Sequence, residues 1–199
     1  MPTIDKNKVK YGLEQVHIYP ITKQDGETTT YGETFTIPGA VNLSISPEGE
    51  ENKFYADNVV YWSDYSNNGY SGNLEIAILT DEFREKILGE TVNDDGVHIE
   101  SSDDKNAQFA MAFQFLGDKN NIRHVLYRCS AARPDVEGET KGESIDPKTD
   151  TLEFTAMPRI NDHQIKARTE QGSKAYEAWF DKPYAPAESE DEEVPAVEG

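Results

Sequence analysis

The residues able to do acid–base, nucleophilic or metal chemistry are scattered along the chain rather than grouped. The four histidines, His17, His98, His124 and His163, never stand at ligand spacing. None belongs to an HExxH pair, which would set two imidazoles on one helix face for zinc, and Cys129 has no second thiol to join it. No GxSxG elbow presents a serine nucleophile, and no glycine-rich run forms a phosphate cradle. Carboxylates number 38, too many for any pair to stand out as general acid and base. A solvated acidic face accounts for most of them. Catalysis has no positive support, and neither a metal nor a cofactor is expected.

Asn93-Asp94-Asp95-Gly96 has the outline of a calcium loop. With Gly96 placed as the loop glycine, however, Thr91 takes the first ligand position and Ser102 the last. Both should be acidic, and the bidentate glutamate is missing. A hairpin turn is the better reading. Tyr55, Tyr61, Trp62, Tyr65 and Tyr70 form a second concentration of chemistry, around a polar stretch. Three readings stay open for it: a platform on which sugars stack, a protein interface, or core packing.

Charge narrows the partners. Lys and Arg number 19, and the formal net charge is −19. A field of that sign repels phosphate and disfavours both nucleic-acid binding and docking on an anionic membrane. Six of the acids, from Glu188 to Glu198, crowd the last twelve residues without a basic partner. With Cys129 alone, no intrachain disulfide forms. The first residues lack the apolar core of a signal peptide, and no apolar run nears the ~20 residues of a membrane helix. Synthesis and folding in a reducing cytosol are expected.

The dominant pattern is the period-two alternation of half-buried strands. Val41, Leu43 and Ile45 alternate with polar residues, as do Leu74, Ile76 and Ile78. Phe109, Met111, Phe113 and Phe115 form a third row, and Leu152, Phe154 and Ala156 a fourth. Further strands are expected at residues 14–21, 58–62, 122–129 and 163–169. Turns rich in Asp, Asn and Gly at 24–26, 93–96 and 117–121 separate them, the last reading as a hairpin. One helix is expected from Thr80 or Asp81 to a Gly89 cap, burying Phe83 and Ile87, and a weaker one over residues 173–180. These signals predict a mainly β chain, an antiparallel sandwich or split barrel over residues 1–184, followed by a disordered acidic tail, 185–199. Two polar segments, 47–57 and 134–150, are longer than ordinary hairpin loops.

The segment Ile37-Pro38-Gly39-Ala40-Val41-Asn42-Leu43-Ser44-Ile45-Ser46-Pro47-Glu48-Gly49-Glu50 is followed by Phe54-Tyr55-Ala56-Asp57-Asn58 and Asn68-Gly69-Tyr70-Ser71-Gly72-Asn73-Leu74. Tyr11-Gly12-Leu13, Asp81-Glu82-Phe83-Arg84, Arg123-His124-Val125-Leu126-Tyr127, Thr151-Leu152-Glu153-Phe154-Thr155 and Ala175-Tyr176-Glu177-Ala178-Trp179-Phe180 continue the order. This succession, from about Lys10 to Tyr184, resembles the major tail proteins of siphophages that infect Gram-positive bacteria.

The resemblance implies a subunit without an active site, assembling with copies of itself into hexameric rings that stack into a tail tube. DNA would pass through the lumen unbound, and the negative charge would keep that lumen repulsive. Tape measure, tail terminator and distal tail proteins would be further partners, with no membrane involved. The virion tail would be its location. The resemblance also implies that a long loop between early strands bridges to the next ring. Here that loop matches residues 47–57, with Pro47, Glu48, Gly49, Glu50, Phe54, Tyr55, Ala56 and Asp57 as its candidate residues. An immunoglobulin-like exterior domain, found in some relatives, is not expected in a chain of this length. A carbohydrate- or receptor-binding β module remains the alternative, and a hydrolase-like β enzyme a third.

Overall fold

The computed structural model describes residues 6–136, 138, 140 and 148–186. The expected mainly β, antiparallel architecture is what the chain adopts. β1 (Lys10–Gln24) is long and pairs with β10 (Phe109–Gly117) on one side. On its other side it carries two short strands, β2 (Thr29–Tyr31) and β3 (Phe35–Ile37). β10 continues through the hairpin turn at 117–121 into β11 (Ile122–Ala131).

β11 forks the sheet. Its first half pairs with β13 (Lys166–Glu170), and its last residues pair with β12 (Asp150–Ala156). From β12 the ladder runs to β7 (Gly69–Ile76) and ends at β4 (Ala40–Glu48). The sheet thereby doubles over on itself, and one core fills the space between its halves. Phe109, Met111 and Phe113 meet Leu74, Ile76, Leu152 and Phe154 there. Thr80 caps a single helical turn, α1 (Asp81–Phe83), which widens into a π-turn over Arg84–Leu88 and stops at Gly89 in the left-handed region, φ 84°. Phe83 closes the core edge-on against Phe109, ring centroids 5.6 Å apart.

β10 is buried on both faces. Its intervening Ala110 and Ala112 pack outward with Tyr19, Val125 and Tyr127 under Trp179. Alanine is what this second layer requires, because the covering segment lies close against the sheet. That segment is not the helix expected over residues 173–180. It is a chain of three-residue turns, with amides of Tyr176, Trp179 and Asp181 donating to Ser173, Tyr176 and Ala178 carbonyls. The guanidinium of Arg123 donates to the Tyr176 carbonyl and lies 3.8 Å from the Tyr176 ring, so a tertiary contact takes a carbonyl that a helix would use.

Two alternation readings also need correction. Val41 is the extra residue of a bulge between Ala40 and Asn42 and is 54% exposed. Ile78 lies beyond the end of β7 and is 69% exposed; Leu79 is buried in its place, its amide donating to Asp150 Oδ2 at 2.7 Å. His163 sits in a turn at φ 58°, so the last strand starts later than expected, at Lys166. Most of the long segment at 134–150, and residues 187–199 of the expected acidic tail, lie outside the described residues.

Candidate interaction surface

β4 and β7 do not stop where the body ends. Beyond Glu48 and Gly69 the same two-stranded ribbon continues as β5 (Glu51–Ala56) and β6 (Val59–Tyr65), an arm hydrogen-bonded only to itself. The segment expected as a long loop is therefore a strand, because the stretch beyond it supplies a matching partner. Pro47 and Glu48 close β4 opposite Tyr70 and Gly69. Gly49 and Glu50 make the joint, with the Glu50 amide donating to Ser66 Oγ (2.8 Å) and the Ser66 amide to the Glu50 carbonyl (3.0 Å). Gly49 has no substitute here, since a Cβ would lie 2.0 Å from the Ser66 carbonyl oxygen. Phe54, Tyr55 and Ala56 lie on β5. Asp57 and Asn58 form the tip, both with positive φ (52° and 63°), the conformation of a two-residue hairpin turn.

The register sets out two faces. Phe54 opposes Trp62 and Ala56 opposes Val59 on one; Tyr55 opposes Val60 and Glu51 opposes Tyr65 on the other. Tyr61 is the extra residue of a bulge between them. Neither face is covered: Phe54, Tyr55, Tyr61, Trp62 and Tyr65 are each 54–73% exposed. The core-packing reading of these aromatics therefore fails. Tyr70, grouped with them by sequence, belongs instead to β7, where it is half-buried beneath the Lys166 ammonium. β6 was missed as a partner for 47–57, although Asp57-Asn58 between two apolar-aromatic runs is a hairpin signal.

Six residues of strand span about 20 Å. An isolated two-stranded ribbon without a buried face is at best marginally stable. Four acids, Glu50, Glu51, Asp57 and Asp64, lie on this one and its joint, against a single Lys53 that is ion-paired to Glu51 at 2.8 Å.

The histidines stand apart. His17 stacks on Phe180 at 4.4 Å, with burial foremost and the Arg123 charge second in lowering its pKa. His124 stacks on Phe113 at 5.2 Å and is pushed down to about 4, chiefly by burial and further by Lys166, Lys10 and Arg168. His98 lies 3.8 Å from Glu90 and 3.9 Å from Asp81, where Arg84 already holds Glu90. Cys129 is wholly buried, and burial pushes its thiol far up, away from thiolate chemistry. Among the described residues no three His, Cys, Asp or Glu side chains gather closely enough to hold a metal. Asn93-Asp94-Asp95-Gly96 is the turn between β8 (Thr91–Val92) and β9 (His98–Ile99). No helix among the described residues is long and apolar enough to cross a membrane.

A groove of about 510 Å³ lies over β4, β7 and β12 and is lined by Ser44, Ser46, Ser71, Asn73, Glu153 and Thr155. It brings hydroxyls together without a histidine to activate them, and the exposed aromatics of the arm line none of it. A sugar site combining polar groups with a stacking platform is thus not assembled at this groove. No protein-family model matches the chain, and a search of curated proteins finds no significant match.

Proposed function

We propose that this chain is a structural subunit that works by polymerising, and that it forms the tail tube of a long-tailed bacteriophage as stacked hexameric rings around a DNA conduit. The observation that carries this reading is the β5–β6 arm, with aromatic side chains on both faces that are uncovered in the single chain. A large exposed apolar patch marks an interaction site. Burying one such aromatic contributes about 1.5–3 kcal/mol, whereas association costs about 4–15 kcal/mol. A contact repeated around a closed ring meets that cost cooperatively, where one arm on one partner leaves little surplus.

The motif order from Lys10 to Tyr184 supports the tail-tube assignment, and the net charge of −19 suits a conduit that must not retain DNA. That charge also keeps the subunit soluble before it assembles. The remaining tail proteins, the tape measure, terminator and distal tail protein, would then bound the tube at its ends and along its lumen. Sedimentation velocity of the chain against one in which residues 51–65 are replaced by a short turn tests the reading. Concentration-dependent large species for the first and monomers for the second are expected; monomers for both would overturn it.

A further inference from the structure

An arm that docks on another copy needs a receiving surface. β1 pairs with β3 only from Val16 to Ile18, and β4 is paired on its β7 side. Below Val16, therefore, the starts of β1 and β4 leave a seam between two open edges. The seam is a cleft of about 240 Å³ lined by Lys10, Tyr11, Leu13, Val41, Leu43 and Phe115. Tyr11 and Val41 are 56% and 54% exposed at its lip. Irregularities at Gly12 and Gln15 (φ 61° and 54°) and at Val41 break both edges, so the cleft is not shaped to add a regular strand. Side chains, not a continuous ladder, must do the recognition.

The charge of this site is the reverse of the chain's. Lys10 Nζ lies 4.9 Å from the Phe115 ring centroid, and Phe115 meets His124 edge-on at 5.7 Å. Arg168 pairs with His124 in register, and Lys166 follows on the same side of β13. Lys10, Lys166 and Arg168 thus surround one imidazole. None makes an ion pair among the described residues; Lys166 donates only to Tyr70 Oη, at 2.8 Å. Glu170, next on that side of β13, is the one acid on the strand. Three cations without an ion pair around one imidazole, with Lys10 itself lining the cleft, are an anomaly in a chain of net charge −19.

We propose that this cleft receives the β5–β6 arm of a second copy, its aromatic rings against Tyr11, Val41 and Phe115 and its carboxylates against Lys10, Lys166 and Arg168. The inference rests on the reading of the chain as a self-assembling subunit and names the surface on which the arm lands. Arm and cleft match in both respects: each exposes apolar side chains, and the arm and its joint carry four acids, Glu50, Glu51, Asp57 and Asp64, against one lysine that is already paired with Glu51. The arm cannot fill its own cleft, because it leaves β4 at Glu48, seven residues or about 23 Å beyond Val41 and heading away. The contact is head-to-tail, unlike on its two sides, and such contacts propagate into rings or tubes instead of stopping at a dimer.

The test uses two variants of the full chain and one photocrosslinker. Phe54→Ser with Trp62→Ser disables the arm, and Lys10→Glu with Arg168→Glu disables the cleft. Each alone should assemble at least about 10-fold more weakly than the parent chain. Mixed, they should form a discrete 1:1 complex, since one intact arm and one intact cleft remain. A benzophenone at Tyr61 should crosslink between chains to residues 10–13, 41–43 or 166–168. A cleft variant that assembles like the parent, or crosslinks that map elsewhere, would overturn this inference and leave self-assembly standing. A parent chain that stays monomeric, with no interchain crosslinks, would overturn both.

Discussion

Phe54 and Trp62 face each other across the β5–β6 ribbon as register partners, yet they remain 59% and 54% exposed. A cross-strand aromatic pair contributes about 0.2–1 kcal/mol to its ribbon. Here that contribution supports an arm whose strands pair only with each other. Replacing both by serine is expected to leave the melting of the body within about 1 kcal/mol of the parent, while assembly is lost. Differential scanning calorimetry alongside light scattering separates the two effects. Equal loss of both would assign the pair to the fold.

The same pair provides a spectroscopic reporter. The chain has two tryptophans, Trp62 on the arm and Trp179 in the second core. In a Trp179→Phe variant, emission comes from Trp62 alone. It is expected at the long wavelength of a wetted indole when dilute, moving to shorter wavelength as concentration rises and the arm becomes covered. Emission that stays constant while large species form would place the contact off the arm.

Gly69 anchors the arm's return into the body. Its φ is 118°, and a Cβ there would stand 2.0 Å from the Ala156 carbonyl oxygen. Gly69→Ala is expected to destabilise the fold by about 2–4 kcal/mol, combining backbone strain with the displaced β12. A chemical denaturation midpoint equal to the parent's would contradict the geometry.

The alternation of sequence was enough to place β7, β10 and β12 and to pick the rows that fill the main core. It put Ile78 in one such row, however, and left Ala110 and Ala112 on a surface, whereas Ile78 is exposed and both alanines are buried in the second core. It failed where a tertiary contact or a local irregularity overrides a two-residue period. Val41 turned outward because a bulge consumes one position, and the predicted helix at 173–180 gave way to turns around the Arg123 guanidinium. The segment 47–57 was identified from its length and its resemblance, but its conformation depended on β6, a partner across the tip at Asp57-Asn58. The cleft was not legible at all. Lys10, His124 and Arg168 are far apart in sequence and meet only because β11 pairs with β10 and β13 at once while β10 also pairs with β1.

Acid should weaken the fold through His124. Burial, aided by Lys166, Lys10 and Arg168, lowers its pKa from the ordinary 6.5 to about 4. The unfolded chain therefore takes up a proton at a higher pH than the folded one. The neutral ring's contribution is complete above pH 6.5 and is lost as pH falls towards 4, by as much as about 3 kcal/mol. His17, also lowered, acts in the same direction. His124→Phe suits a slot between Phe113 and Phe115 and should flatten this part of the stability profile. An unchanged slope between pH 6.5 and 4 would show that the ring is protonated without cost.

Negative-stain electron microscopy of the purified chain over rising concentration addresses polymerisation most directly. The account predicts rings, and then hollow tubes built of stacked rings, with the arm-deleted chain remaining as single compact particles beside them. Discrete monomers of the parent chain at every concentration up to its solubility limit would contradict it.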